Sequence, residues 1–370
     1  MVEWKKLGEV ATIKRGERIT KANLIGNADY PVISGGVSPL GYIDKYNRNA
    51  NTITVAQYGT AGYIDLQSSK FWANDVCYSV FPERVVINKY LFFVLKNQQD
   101  YIYTLRTNAI PAHLPQKELL NVDIPIPSLS EQNRIVSILD TFTASIDNLK
   151  AQIAQRRKQF EFYRDQLLDL EGKDGVEMKT LGELFSFKNG LNKGKEFFGR
   201  GRPIIMFSNV FNSRFIISSM IKNKVEITDK ELERIDAKFG DVFFTRTSET
   251  KEDVGYSSVL LEDIGECTFA GFLIRARPLT NLLVPSYCKY CFTTPQVRRT
   301  IVDNSSFTTR ASLTGAGLGK VSIPLPPLSE QHRIVSILDT FEASISNLES
   351  QLEQRQKQYE YYRNQLLTFD

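Results

Sequence analysis

PSLSEQNRIVSILDTFTASIDNLKAQIAQRRKQFEFYRDQLL, residues 127–168, returns as PPLSEQHRIVSILDTFEASISNLESQLEQRQKQYEYYRNQLL, residues 326–367. At an offset of 199 the copies agree at 30 of 42 positions, so the chain is first of all a tandem duplication. Large side chains recur at heptad spacing: Phe142, Ile146, Leu149, Ile153, Phe160 and Tyr163 in the first copy, Phe341, Ile345, Leu348, Leu352, Tyr359 and Tyr362 in the second. Arg156 and Arg355 fill the one seam position that is not apolar. Each copy reads as one long helix, with Ser130 and Ser329 as expected N-caps and Glu131 and Glu330 suited to a first turn. Some forty residues make a rod of roughly 60 Å. A lone amphipathic rod needs a partner in water, and the other copy is the nearest one. The seam residues are therefore the expected partner-helix interface.

Composition sets the class. The chain has 370 residues, 42% of them hydrophobic and 24% charged, as in folded proteins with two or three domains. No apolar run approaches the roughly 20 residues that span a bilayer, and MVEWKKLGEV lacks the apolar core of a signal peptide. No membrane partner is expected. Cys77, Cys267, Cys288 and Cys291 form no disulfide framework, which fits a cytoplasmic location. With two histidines in the chain and one CxxC, no metal site is expected. Net charge is +3 over residues 1–130, zero over 131–170, +4 over 171–325 and −3 over 326–370. The positive excess lies in the unrepeated segments, which points weakly to nucleic acid there.

The borders follow from the repeat: a first domain at 1–126, a helical spacer at 127–170, a polar linker at 171–177, a second domain at 178–325 and a second spacer at 326–370. In the first domain, YPVISGGVSPLGYID and NTITVAQYGTAGYIDL read as hairpin-like units and KFWANDVCYSVFPE as another strand pair. NKYLFFVLKNQQDYIYTL reads as an amphipathic helix packing Leu91, Phe92, Leu95 and Tyr101. MKTLGELFSFKNG restarts the plan of EWKKLGEVATIKRG at an offset of 174, with Leu7, Gly8 and Glu9 answered by Leu181, Gly182 and Glu183. The domain ends also match, while the interiors share little. The expected class is α+β: two mixed domains and two long helices pairing as an antiparallel coiled coil, a pseudo-twofold tandem repeat. Unlike interiors on a matching frame point to two readers of different targets, and duplex DNA is a ligand with local twofold symmetry read as spaced half-sites.

No motif for catalysis stands up. GAGLGK (residues 315–320) lacks the first glycine and the hydroxyl of a phosphate loop. No N-P-P-aromatic or D-P-P-aromatic phrase is present, and His113 and His332 have no nucleophile–base arrangement around them. Basic and polar loops are the better candidates for DNA contact. They hold Lys14 and Arg15; Gln57, Tyr58 and Thr60 in AQYGTAG; Arg106 and Asn108; Lys188, Lys193, Lys195, Arg200 and Arg202 in FKNGLNKGKEFFGRGR; Arg246, Thr247 and Ser248 in FFTRTSET; and Arg310. Arg pairs with guanine and Gln with adenine in the major groove, but sequence does not sort base contacts from phosphate contacts.

The paired phrases IPSLSEQNRIVSILD and LPPLSEQHRIVSILD, the long helices behind them and the opening WKKLGEVATIKRG with its echo resemble the specificity subunit of type I restriction-modification enzymes. The resemblance covers the whole chain. It implies two target recognition domains with curved sheets, each reading half of a bipartite double-stranded DNA site, and helices that set the gap and dock two modification (methyltransferase) subunits. Restriction (translocase and endonuclease) subunits would join that complex. It further implies that this chain is not itself an enzyme and binds no cofactor, with S-adenosylmethionine, ATP and magnesium belonging to the partner subunits. Two rival readings are a coiled-coil scaffold carrying two protein-binding domains and a divergent DNA methyltransferase or nuclease.

Overall fold

The computed structural model describes residues 2–369; Met1 and Asp370, the outer ends of the borders expected above, lie outside them. The two copies of the repeat are continuous helices, Leu129–Leu168 and Leu328–Leu367. Each begins earlier than the serines expected to cap it. The Ser128 hydroxyl accepts from the Glu131 amide (3.3 Å), and the Pro327 carbonyl accepts from the amides of Glu330 (2.9 Å) and Gln331 (3.0 Å). Ser130 and Ser329 therefore sit inside the first turn, because Ser128 and Pro327, each the residue just before its helix, already supply the acceptor.

The chain separates into two compact units, Met1–Ala151 with Glu349–Asp370, and Gln152–Leu348. Each unit thus takes the first part of one long helix and the last part of the other, so compactness divides the rods that sequence borders leave whole. In the first unit the core holds Ile135 and Leu139, from the start of one helix, with Leu367 from the end of the other. In the second unit it holds Ile334 and Leu338 with Leu168. Start meets end in both, so the pairing is antiparallel. The same seam contact is built twice. Phe142 stacks on Tyr362 (5.3 Å, 29°) with Arg355 over its ring (5.7 Å). Phe341 stacks on Tyr163 (5.3 Å, 28°) with Arg156 over its ring (5.8 Å). The arginines that interrupt the apolar seam are its cation–π partners. Ile146 and Ile153 are buried, and Leu149, Ile345, Leu348 and Leu352 are half-buried. Phe160 and Tyr359 turn toward the domains instead: Phe160 packs on Tyr290 (6.1 Å), and Tyr359 joins the first unit's core.

A buried glutamine pins each helix to its domain. Gln132 donates to the carbonyls of Val85 (3.0 Å) and Pro127 (3.0 Å) and accepts from the Ile87 amide (2.8 Å). Gln331 repeats this with Leu282 (2.8 Å), Pro326 (2.9 Å) and Val284 (2.8 Å). Both are fully buried. The adjacent glutamates stay outside and bind Arg134 and Arg333 one turn on. This explains the EQ-x-R-I phrase: a pin from the glutamine, a surface ion pair from the glutamate and arginine, and a core anchor from the isoleucine.

Each domain is closed by a strand pair where the chain enters and leaves: Glu3–Lys6 on Asp123–Ile126, and Glu177–Thr180 on Ser322–Leu325. Buried tyrosines bind the exit strands alike, Tyr90 to the Pro125 carbonyl and Tyr287 to the Pro324 carbonyl, each at 2.9 Å. The Leu-Gly-Glu echo is a helical turn: the leucine is buried, and the Glu9 and Glu183 carboxylates accept the amides of Lys6 (2.6 Å) and Thr180 (2.8 Å).

The first domain's main sheet is antiparallel and runs, edge to edge, Ala11–Arg15, Cys77–Pro82, Thr52–Ala56, Ile64–Gln67. A small sheet of Tyr42–Ile43, Tyr30–Ile33 and Trp72–Ala73 lies beside it. Both expected hairpins form, with Tyr30 opposite Ile43 and Thr52 opposite Gln67. The expected pair within 70–83 does not. Trp72–Ala73 lies parallel to Tyr30–Ile33, and the chain then crosses at Asn74 into the main sheet, where the Asn74 amide oxygen ties down the Ile19 amide (2.8 Å). The expected amphipathic helix breaks into Asn88–Asn97 and Gln99–Thr104. It buries Leu91 and Leu95 as expected, together with Phe93, Val94 and Ile102; Phe92 packs half-buried on the same core, and Tyr101, beyond the break at Gln98, is exposed.

The second domain repeats this order with an unlike sequence: Phe185–Asn189, Leu273–Pro278, Val242–Thr245, Ser257–Leu260, and an added parallel edge, Phe215–Ile216. Its small sheet, Lys224–Val225, Phe198–Ile205 and Thr268–Phe269, keeps the parallel last pair. Gly16 and Gly190, at the 174 offset, occupy the same crossing. A Cβ at either would lie 2.1 Å from a carbonyl oxygen, Ala73 or Ala270, so only glycine fits. GAGLGK is a short helix, Gly315–Gly319, capped by Thr314, whose glycines let it sit against Phe187 and Gly182.

Candidate nucleic-acid interface

In the first domain, Lys14, Arg15, Arg18 and Lys21 lie exposed along an edge strand and the loop after it. Contacts gather three more cations there. Arg48 donates to the Arg15 carbonyl (2.8 Å) and the Ser79 hydroxyl (2.9 Å). Lys45 sits over the Trp72 ring (4.9 Å), whose indole N–H binds the Glu17 carbonyl (2.8 Å). Lys70 sits over Tyr46 (4.4 Å) and donates to its hydroxyl (3.1 Å). Lys14 and Arg15 lie over Phe81 (5.6 Å) and Tyr78 (5.8 Å). None of these seven cations has an acidic partner among the described residues; this domain's ion pairs lie at Lys5, Lys6 and Lys89. Cations resting on aromatic rings with no counter-ion form a surface for a polyanion. Of the seven, sequence singled out Lys14 and Arg15. The others are spread singly along the sequence, and the one available signal is the aromatic residue that follows Lys45 and Lys70, with none beside Arg18, Lys21 or Arg48.

Gln57, Tyr58 and Thr60 follow the central strand. The Thr60 hydroxyl donates to the Gly35 carbonyl (2.9 Å), and Tyr58 stacks on His113 (5.2 Å, 22°), whose Nδ1 meets the Thr107 hydroxyl (3.0 Å). Gln57 is 3% exposed. Its backbone amide binds the Val76 carbonyl and its carbonyl accepts from Leu114, both at 2.9 Å. Its side chain has no hydrogen-bond partner among the described residues. Arg106 is exposed, folds over Tyr103 (4.9 Å) and donates to its carbonyl (2.7 Å); Asn108 is exposed nearby.

The second domain uses many of its cations internally. In the loop expected to track phosphates, Lys193 binds Glu231 (2.8 Å), Arg200 binds Glu226 (2.6 Å), and Arg202 binds Asp229 (2.5 Å) and Glu266 (2.8 Å). The Lys193 hydrogen bond, with the Thr228 amide, holds the Glu231 carboxyl at about 2. Lys188 and Lys195 stay exposed without such partners among the described residues. Below them Arg277 bridges Asp241 (2.7 Å) and Asp236 (2.9 Å), while Arg275 reaches Asp236 (2.8 Å). Burial pushes Asp236 up, but Lys238 and Arg277 outweigh it and leave the carboxyl below its ordinary value. The charge excess counted from sequence thus overstates what this domain offers a ligand.

Arg246, Thr247 and Ser248 follow the second domain's central strand. Thr247 and Ser248 pair with Ser312 and Ala311, in a three-stranded sheet the first domain lacks, and exposed Arg310 lies 3.6 Å from Glu249. Arg246 is half-buried, and its guanidinium has no hydrogen bond, ion pair or ring contact among the described residues. Among the described residues no side chain or carbonyl claims the polar head of Arg246 or Gln57, and neither head is among the buried atoms left without a partner, so both stay open to a ligand, which singles them out from the other candidates. The four cysteines are buried in the core, and burial raises every thiol, those of Cys77, Cys267 and Cys291 to about 12. Among the described residues no group of histidine, cysteine or acidic side chains could hold a metal ion, and no helix is long and apolar enough to cross a membrane.

The model of the type I restriction modification DNA specificity domain family matches residues 1–156 and 173–356, once for each half of the tandem. The chain belongs to this family. Within the DNA specificity domain family it is 29% identical to a putative type I restriction enzyme specificity subunit of Haemophilus influenzae, over all of this chain and 96% of that protein. It is 28% identical to the EcoR124I/EcoR124II specificity subunit of Escherichia coli, over all of this chain and 94% of that one. The crystal structure of the type I restriction-modification S subunit from M. genitalium superposes with a TM-score of 0.65 at 18% identity, covering 100% of this chain and 97% of that one. That likeness establishes the shared fold.

Proposed function

We propose that this chain is the DNA-recognising specificity subunit of a type I restriction-modification complex. The observation that carries the reading is the family match to both halves of a duplicated frame whose interiors differ. Each domain reads one half of a bipartite duplex site, and the helices hold the gap and dock two modification subunits. Restriction subunits complete the assembly. The unneutralised cations of the first domain and the unpartnered Gln57 and Arg246 support contact with DNA. The chain carries no catalytic step; S-adenosylmethionine, ATP and magnesium serve the partner subunits, and the complex works in the cytoplasm. Genome-wide methylation mapping of cells that express this chain with its modification partner tests the reading. The expected result is adenine methylation at one split motif with a fixed gap. Methylation at a continuous motif, or by this chain alone with a methyl donor, overturns it.

A further inference from the structure

We infer that Gln57 and Arg246 are one and the same position in the two domains, and that this position selects a base in each half-site: adenine through Gln57, guanine through Arg246. The inference rests on the reading of the chain as a DNA specificity subunit.

The equivalence comes from the backbone. Each residue is the first after its domain's central strand, Thr52–Ala56 or Val242–Thr245. The Gln57 amide donates to the Val76 carbonyl, and the Arg246 amide to the Phe272 carbonyl, both at 2.9 Å. The Gln57 carbonyl accepts from Leu114 and the Arg246 carbonyl from Leu313, both at 2.9 Å, and these leucines are 199 residues apart, the offset of the repeat. The next residues continue the match: Tyr58 bridges His113, and Thr247 pairs with Ser312. Identical main-chain bonds thus hold two different side chains.

The chemistry comes from what those side chains lack. Gln57 is 3% exposed and Arg246 half-buried, yet neither polar head has a partner among the described residues. The neighbouring arginines of the second domain, Arg202, Arg275 and Arg277, are all answered by carboxylates. Neither head is among the buried side-chain atoms without a partner, so both keep contact with solvent and are open to an outside ligand. A base edge on the floor of the major groove presents paired donors and acceptors, and a neutral amide lacks the charge that draws Lys and Arg to phosphate. Gln offers adenine N6 and N7 a matched donor and acceptor, and Arg offers guanine O6 and N7 two donors.

The test uses the assembled complex of this chain with its modification partner. The parent's split motif is first mapped by genome-wide methylation. Purified parent, Arg246→Gln and Gln57→Ala complexes are then titrated against duplexes in which each base pair of that motif is replaced in turn. Arg246→Gln should lose discrimination of one G·C pair in one half-site by roughly 5- to 150-fold and leave the other half-site unchanged. Gln57→Ala should do the same for one A·T pair in the opposite half-site. Thermal melting and co-purification check each variant's folding. A variant that does not assemble is replaced by Arg246→Met or Gln57→Glu, which carry the same expectation. An unchanged positional profile, or a uniform loss of affinity for every duplex, overturns the inference. A parent that yields no split motif defeats the proposed function instead, so the two failures are distinct.

Discussion

Replacing Gln132 with leucine removes one side chain and three hydrogen bonds: to Val85 (3.0 Å), to Pro127 (3.0 Å) and from Ile87 (2.8 Å). The residue is fully buried, and leucine has nearly its length, so little volume is lost. What remains is an amide and two carbonyls with no partner. Each orphaned group costs about 1–3 kcal/mol, and water can reach the partly buried ones, so the low end applies: about 3 kcal/mol in all. A unit of this size melts about 2–4 °C lower per kcal/mol. The first unit's transition should therefore fall by roughly 6–12 °C. Differential scanning calorimetry reads this directly, and Gln331→Leu should act alike on the second unit. Asn133→His and His332→Asn exchange the residues by which the two copies differ one position further on. Both are exposed, and melting should not move. A Gln132→Leu protein that melts within about 1 °C of the parent, or an Asn133→His protein that falls as far, refutes the pin and leaves the phrase as a surface feature.

Three further outcomes follow from the same geometry. Because the folded Glu231 carboxyl sits at about 2, below its unfolded value, the Lys193–Glu231 pair stabilises the second domain above the ordinary glutamate range and fades as pH falls toward 2. Melting of that domain should drop through this acid window, and Glu231→Gln should flatten the drop; equal slopes would count against the pair. In the assembled complex, Lys45→Ala, Arg48→Ala and Lys70→Ala should each lower the slope of log affinity against log salt by roughly 1 without altering the preferred sequence; an unchanged slope in all three would remove this surface from the DNA. The four thiols, all buried and shifted upward, should resist a thiol reagent at pH 8 until the protein is unfolded. Rapid labelling of the native chain would contradict the burial of Cys288 and Cys291.

The long helices were legible because their signal is local and said twice. The seam positions and the arginine in the seam needed only spacing, whereas the Leu-Gly-Glu echo marked the duplication without showing that it forms a helical turn before the strand. Helix starts were missed by two residues because the acceptor is Ser128 in one copy and a backbone carbonyl, that of Pro327, in the other. Strand partners within residues 70–83 were misassigned because Trp72 pairs with Val32, forty residues away, and not with its neighbours. The basic loop from Lys188 to Arg202 looked free because its counter-charges, Glu226, Asp229, Glu231 and Glu266, come from segments that only folding brings near. Charge counting finds cations, whereas availability depends on tertiary pairing.

The contacts that recur between the halves share a feature. Gln132 and Gln331 bind through side chains, as do Tyr90 and Tyr287 and the Phe–Tyr–Arg seams, so those residues cannot change without breaking the frame. At Gln57 and Arg246 the shared contacts are made by main-chain atoms alone. Such bonds fix where a side chain stands and leave its identity open. A duplicated chain built this way can change what each half reads while keeping the geometry in which it reads, and it does so at the positions whose polar heads the fold leaves unanswered.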